Sequence, residues 1–234
     1  YEEFSFSPAD IDGVLLTHAH VDHCGLVPKI VREGYKGTVY ATQATCDLAK
    51  IMLPDSAHIQ ESDAEMLNRK GQRRGDAPVE PLYGINDALD ALKQFSPVPY
   101  DQELHLSDNL RVFFRDAGHI LGSAILEVYV KENGKETKLV FSGDLGQPNQ
   151  PILRDPTVIH GADFVITEST YGDRLHQLYD KETALIEIVN ETMDRGGNLI
   201  IPSFAVGRTQ TLLYYFYNLS KEGRLDPDIP IILD

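Results

Sequence analysis

The chain has 234 residues, of which 42% are hydrophobic, and this composition fits one large or two small globular domains. Its 36 acidic and 21 basic residues give a formal net charge of −15, which argues against a domain that holds nucleic acid by bulk electrostatics. Its apolar runs are too short to span a membrane, its start is unlike a signal peptide, and its 2 cysteines make no disulfide framework, so we expect a cytoplasmic protein without a membrane partner.

The first part of the chain alternates short β-rich runs with helical ones, which is the pattern of a mixed α/β fold. The runs with strand character are 13–17, 37–41, 110–115, 123–130 and 138–141. The helical runs are 26–31, which Gly34 ends, then 45–53, 56–69 and one that Asn86 opens. Pro54 is expected to separate the two middle helices, because a proline inside a helix removes a hydrogen bond. Residues 70–81 are expected to form an exposed loop, and Asn133-Gly134 a hairpin turn.

The pattern changes after Asp163. The elements predicted there are a strand at 164–167, a helix at 182–193, a strand at 198–202, a helix at 209–219 and a strand at 229–233. This βαβαβ order indicates a parallel sheet. Turn residues around Gly172 mark the boundary, which predicts domains of residues 1–172 and 173–234. We also expect both ends to be incomplete, because no strand precedes Ile11 and the last predicted strand runs to the end of the chain.

A dense group of side chains that can bind metal follows the first predicted strand. Its members are His18, His20, Asp22 and His23. His18 and His20 point the same way if the backbone is extended, so both can reach one metal ion, whereas Asp22 and His23 continue into a turn and can bind a second ion. Surface histidines with a helix-capping Asp22 are the plain alternative, which does not account for so dense a group.

Each zinc-like ion needs three or four ligands, so further ligands are expected at the ends of other strands. His119 lies in a glycine-flanked turn between two predicted strands. Asp144 follows an apolar strand in the string Ser-Gly-Asp-Leu-Gly. Together with the first group, these residues predict a centre for two zinc ions.

The order His-x-His-x-Asp-His, then Gly-His, then Ser-Gly-Asp resembles the metallo-β-lactamase superfamily. The resemblance implies an αββα sandwich with two metals at the edge of the paired sheets. It implies that one metal is bound by His18, His20 and His119, the other by Asp22 and His23, and that Asp144 bridges them. The family supplies one more histidine from a later strand. No residue after His176 can be that ligand, so we expect it past Asp234.

Two later sequence motifs indicate a particular branch of this superfamily. They are Glu-Ser-Thr-Tyr-Gly, which begins at Glu168, and Ser-Phe-Ala-Val-Gly-Arg, which begins at Ser203. They resemble the β-CASP branch of RNA-processing nucleases, in which a second α/β domain is inserted at this point. Glu168 matches the first acidic motif of that branch, and the histidine motifs that follow in it would lie beyond this chain. Arg174, Ser203 and Arg208 are the expected substrate contacts, since Arg208 follows a predicted parallel strand at the end where such sheets bind phosphate.

These features predict a two-zinc ribonuclease that cleaves RNA phosphodiester bonds by a metal-bound hydroxide, with Asp22, Asp144 and Glu168 as catalytic residues. RNA is the expected partner, and a homodimer is left open.

One alternative is a hydrolase of a small thioester or lactam, which lacks an inserted domain. Another is a di-iron oxidoreductase, but similar proteins of that type have a carboxylate in place of His20. The third is a non-catalytic RNA-processing scaffold, and such relatives tend to lose ligands that this chain keeps.

Overall fold

The structure is a computed structural model that describes residues 3–72, 74–175 and 180–233, so that His176 lies outside the described residues. The chain forms two compact units. The first consists of Tyr1–Pro148 with Leu153–Glu168, and the second of Asn149–Ile152 with Ser169–Asp234. The domain boundary after Gly172 stays a prediction. None of the described helices has the length and apolar character that a membrane span requires.

Two sheets form the centre of the first unit. The first sheet is parallel and has the order β1 (Gly13–Leu15), β2 (Thr38–Ala41), β3 (Phe95–Pro97). The second sheet has the order β4 (Glu103–Ser107), β5 (Leu110–Asp116), β6 (Ala124–Glu132), β7 (Lys135–Phe141), β8 (Phe164–Ile166). Its neighbouring strands are antiparallel except β7 and β8, which are parallel. Asn133 and Gly134, with φ of 50° and 78°, make the predicted tight turn between β6 and β7.

Helices cover one face of the first sheet. They are α1 (Val21–Cys24), α2 (Val27–Arg32), α3 (Gln43–Gln72) and α4 (Ile85–Leu92). Val39 of β2 is buried in a cluster with residues of these helices, whereas its neighbour Tyr40 packs against a different cluster, which contains Phe114 and Leu126 of the second sheet. This alternation along one strand follows from the two-residue period of a strand. The resulting layers of helices, sheet and sheet are those expected in this part of an αββα sandwich.

The helix break predicted at Pro54 is wrong, because α3 continues through it. Leu53 and Ala57 are fully buried on either side of the proline, and they continue the apolar face that begins at Cys46. A proline inside a helix costs about 3 kcal/mol, and full burial of one leucine side chain returns about 2–3 kcal/mol. The carbonyl that loses its donor belongs to Lys50, an exposed residue at which water can replace the missing bond. The free energy gained by burying these side chains therefore outweighs the tendency of Pro54 to end the helix.

The second unit contains the two predicted helices, α5 (Lys181–Asp194) and α6 (Arg208–Lys221). They pack through Val189 and Leu219. The strands predicted at 198–202 and 229–233 are absent from the described residues of this unit. An extended segment becomes a strand only when it bonds to a neighbour. The strand predicted to begin this parallel sheet is β8, which pairs with β7 of the first unit instead.

Candidate metal centre

The segment that carries the first four candidate ligands lies between the two sheets. The carbonyl of Thr17, just after β1, accepts a hydrogen bond of 2.8 Å from the N–H of Ala124 in β6. His20 is still extended (φ −64°, ψ 143°), and its carbonyl accepts from His23 N in the first turn of α1. Hence the predicted change from extended chain to turn occurs between the two pairs of ligands.

Glycines allow the turns of His119 and Asp144 to approach each other. Gly118 and Gly143 have φ of 64° and 55°, a conformation that favours glycine. Gly146 N donates to Ala117 O at 2.9 Å. A Cβ added to Gly146 would lie 1.7 Å from the carbonyl oxygen of Gly118, so no other residue fits at this contact. The two turns are thereby held side by side.

Three imidazoles converge on one point. His20 Nδ1 lies 3.1 Å from His18 Nε2 and 3.1 Å from His119 Nε2. Two nitrogens bound to one tetrahedral zinc are about 3.3 Å apart, given zinc–nitrogen distances of about 2.0–2.1 Å. Together with a carboxylate oxygen of Asp144, these ligand atoms all lie within 4.8 Å of one another. The donor types and their spacing therefore fit a zinc-like ion.

Asp144 lies between two groups of candidate ligands. Its Oδ2 is 3.4 Å from His119 Nε2 and 3.8 Å from His18 Nε2. Its Oδ1 is 3.2 Å from His23 Nε2, which is in turn 3.6 Å from Asp22 Oδ2. The structure thus brings all six predicted ligands together, with the two oxygens of one carboxylate facing different groups.

Burial favours the neutral form of three histidines in this centre. It lowers the pKa of His18 to about 3, with smaller contributions from the neighbouring histidines. Burial is also the main cause that lowers the pKa of His20 and of His119, although Asp144 acts in the opposite direction on both. Metal ligation requires neutral imidazole, so these side chains are in the ligating form at neutral pH.

Some residues that orient the ligands are not predicted from the sequence. Thr17 Oγ1 lies 3.1 Å from His18 Nδ1, and the hydroxyl of Ser123 accepts from the backbone N–H of His119 at 3.0 Å. Thr17 could have been found by its position next to a ligand, whereas Ser123 gives no local signal. Cys24, directly after the predicted ligand His23, is a buried thiol, and burial raises its pKa to about 12.

Glu168 holds the turn that carries Asp144. Its Oε1 accepts from the N–H of Leu145, the residue directly after Asp144, at 2.6 Å. Its own N–H donates to Ser142 Oγ at 3.2 Å. Glu168 therefore bonds to the chain on both sides of Asp144.

We expect Glu168→Ala to weaken the binding of metal by roughly tenfold, as loss of a supporting hydrogen bond does at other metal sites, and Glu168→Gln to weaken it by about twofold or less. The reason is that the glutamine carbonyl still accepts from Leu145 N. Titration with Zn²⁺ in the presence of a chelating dye measures both affinities, and Glu65→Ala on the exposed side of α3 is the control. Equal losses in the two Glu168 variants would contradict this, since the negative charge would then be what matters.

The three predicted substrate contacts belong to the second unit. Arg174 donates to Thr170 O at 3.2 Å, and its guanidinium lies 4.8 Å from the centre of the Tyr171 ring. Ser203 and Arg208 are exposed, and Arg208 begins α6. Their role at the metal centre stays a prediction.

Comparison with known proteins identifies the family of this chain. Residues 1–186 match the family described as the metallo-β-lactamase superfamily. The chain is 41% identical over 233 residues to Ribonuclease TTHA0252 of Thermus thermophilus, covering 99% of this chain and 48% of that protein. It is 33% identical to two proteins of Methanocaldococcus jannaschii. Transcription termination factor FttA matches over 98% of this chain and 34% of its own length. An RNase J-like protein matches over 96% of this chain and 47% of its own length.

The chain thus spans between about a third and a half of the length of these relatives, at 34–48%. One of the three is named a ribonuclease and another RNase J-like, as expected from the resemblance to an RNA-processing branch. The match over residues 1–186 includes every predicted metal ligand within this chain. The chain belongs to the metallo-β-lactamase superfamily.

Proposed function

We propose that this chain carries the metal centre of a β-CASP ribonuclease that hydrolyses RNA phosphodiester bonds. The observation that carries the proposal is the position of Asp144, whose two oxygens face His119 and His23 at 3.4 and 3.2 Å. A carboxylate whose two oxygens face separate groups of candidate ligands is suited to bridge two adjacent metal ions. RNA as the substrate is supported by the names of the relatives.

Zinc is the metal we propose, with two ions. His18, His20 and His119 would hold one ion, Asp22 and His23 the other, and Asp144 both. A set of imidazoles and carboxylates suits zinc, and the spacing of the three converging nitrogens agrees with its tetrahedral geometry. When bound, two such ions supply a water molecule of lowered pKa and neutralise the charge that develops on the phosphate.

The side chains of this centre have distinct parts in the proposal. Asp144 and Asp22 accept hydrogen bonds from the attacking water and orient it toward phosphorus. Asp22 is suited to this because its side chain is 75% exposed, at the open side of the centre. Glu168 keeps Asp144 in place through the Leu145 N–H.

The second unit completes the proposal as the start of the inserted β-CASP domain, from residue 173. The RNA backbone would be contacted there by Arg174, Ser203 and Arg208. The guanidinium group of an arginine can donate two parallel hydrogen bonds to two oxygens of one phosphate. A local positive charge of this kind is needed because the chain as a whole has a formal charge of −15. A cytoplasmic location is part of the proposal, and a homodimer stays a prediction.

A different observation argues against each of the alternative functions. A thioester or lactam hydrolase needs no domain after Glu168, and two packed helices follow it here. A non-catalytic scaffold has no need to keep its metal ligands, and all six ligands predicted within this chain come together here. A di-iron oxidoreductase is disfavoured by the imidazole of His20 in the converging group.

We predict about two zinc ions per full-length chain and cleavage of single-stranded RNA that a chelator abolishes and added Zn²⁺ restores. Elemental analysis after purification in metal-free buffer gives the stoichiometry, and a labelled RNA gives the activity. Iron without zinc would contradict the choice of metal. Two bound zinc ions with hydrolysis of a thioester but not of RNA would favour the alternative substrate.

A further inference from the structure

The loop that carries His119 is held by hydroxyl groups from other parts of the first unit. We call residues 118–123 the His119 loop. The hydroxyls of Thr42 and Thr45 both donate to the carbonyl of Gly122, at 2.6 and 2.9 Å. The hydroxyl of Tyr100 donates to the carbonyl of Ser123 at 2.8 Å. We call Thr42, Thr45 and Tyr100 the hydroxyl clamp.

The contact between the clamp and the loop is closely packed. Thr42 is 3% exposed, and Thr45 and Ser123 are fully buried. A carbonyl oxygen has two lone pairs, so the two threonines satisfy Gly122 O completely. A Cβ added to Gly122 would lie 2.5 Å from Thr45 N, so no side chain fits between the loop and α3. Water cannot replace a lost donor in such a place without a rearrangement.

The clamp also connects the loop to the start of α3. Thr42 directly precedes this helix, and its hydroxyl accepts from Thr45 N at 3.2 Å, as a helix cap does. Ser123 directly follows Gly122, and its Oγ accepts from the N–H of His119 at 3.0 Å and from that of Ile120 at 3.2 Å. Hydrogen bonds on either side of the Gly122–Ser123 backbone thus connect the first turn of α3 to the backbone of a candidate ligand.

We infer that the hydroxyl clamp is a set of positioning residues that fixes the His119 imidazole for metal binding. This rests on the proposed metal centre. His119 Nε2 must stay near His20 Nδ1, which is 3.1 Å away, and the loop is the part of the chain that sets its position. Loss of one clamp hydroxyl lets the Gly122 carbonyl turn toward a new partner, which moves His119 away from the other two imidazoles.

The test uses the full-length protein and Thr45→Val, which removes the hydroxyl but keeps the size and the backbone of the residue. We expect its affinity for Zn²⁺ to fall by roughly tenfold and the visible spectrum of its Co²⁺ form to change, whereas Thr45→Ser should stay within about twofold of the wild type. Thr192→Val is the matched control. Thr192 is a buried helical threonine in the second unit that donates to Ile188 O at 2.7 Å, and its loss should leave metal affinity unchanged.

Three results would overturn the inference. They are a Thr45→Val protein with wild-type affinity and cobalt spectrum, an equal loss in Thr192→Val, and an equal loss in Thr45→Ser. If Thr45→Val does not fold, Tyr100→Phe decides by the same measurements, because it removes a bond to the same loop and keeps the ring. A wild-type protein that binds zinc but cleaves no RNA would contradict the proposed function and leave the clamp to be judged by affinity alone.

Discussion

Replacement of Asp144 by Asn is expected to lower the rate constant of RNA cleavage by about a thousandfold, the effect of losing one essential electrostatic group at an active site. The two oxygens of Asp144 face different imidazoles, 3.4 Å from His119 and 3.2 Å from His23. An asparagine keeps one oxygen but presents an NH₂ group, which cannot bind a metal ion, on the other side. The variant therefore loses both the negative charge and one of the two contacts.

The fold should survive this substitution, because the Asp144 side chain is 27% exposed and is not part of a hydrophobic cluster. Single-turnover cleavage of a labelled RNA by the full-length enzyme measures the loss, and circular dichroism checks the fold. Asp90→Asn, an exposed residue of α4, is the matched control and should retain the wild-type rate. Near-normal cleavage by the Asp144 variant would remove this residue from the site.

The fold could be predicted where one sequence signal dominates. The strands β5, β6 and β7 follow from their alternating side chains and from the Asn133-Gly134 turn. The three strands and the turn all lie close to the predicted positions. The strand β4 was not predicted, although Leu104 and Leu106 alternate with polar residues and its partner β5 follows directly in the chain. The strand β3 was not predicted either, because Phe-Ser-Pro carries little pattern and its partner β2 is distant in the chain. The break at Pro54 was wrong because buried Leu53 and Ala57 override a local preference.

The metal centre could be read from the sequence because few residue types bind metal, and four of the candidates lie within six positions. The structure adds the convergence of the imidazoles and the position of Asp144 between the two groups. Thr45 could not have been predicted as a partner of the His119 loop. Threonine is common in every kind of element, and the two residues in contact, Thr45 and Gly122, are 77 positions apart.

The ends left by the cut are expected to be a 5′-phosphate and a 3′-hydroxyl. The imidazole nitrogens of His18, His20 and His119 converge, as ligands of one ion do. His20 Nδ1 is 3.1 Å from His18 Nε2 and 3.1 Å from His119 Nε2. Nitrogens bound to metal cannot transfer protons, so these histidines cannot serve as the acid and base that would make the ribose 2′-hydroxyl attack. Water is then the nucleophile, and the 3′-oxygen is the group that leaves.

A single 2′-deoxy nucleotide at the cleavage site separates the two chemistries, because it removes the internal nucleophile and leaves the phosphate unchanged. We expect the full-length enzyme to cut this substrate at a rate close to that of the all-ribose RNA, and to leave ends that a ligase requiring 5′-phosphate accepts. An attack by the 2′-hydroxyl would instead give 2′,3′-cyclic phosphate and 5′-hydroxyl ends. Cyclic phosphate among the products, or loss of cleavage on deoxy substitution while binding is unchanged, would show that water is not the nucleophile. In that case the histidines would have to act as proton carriers, and their convergence would need another explanation.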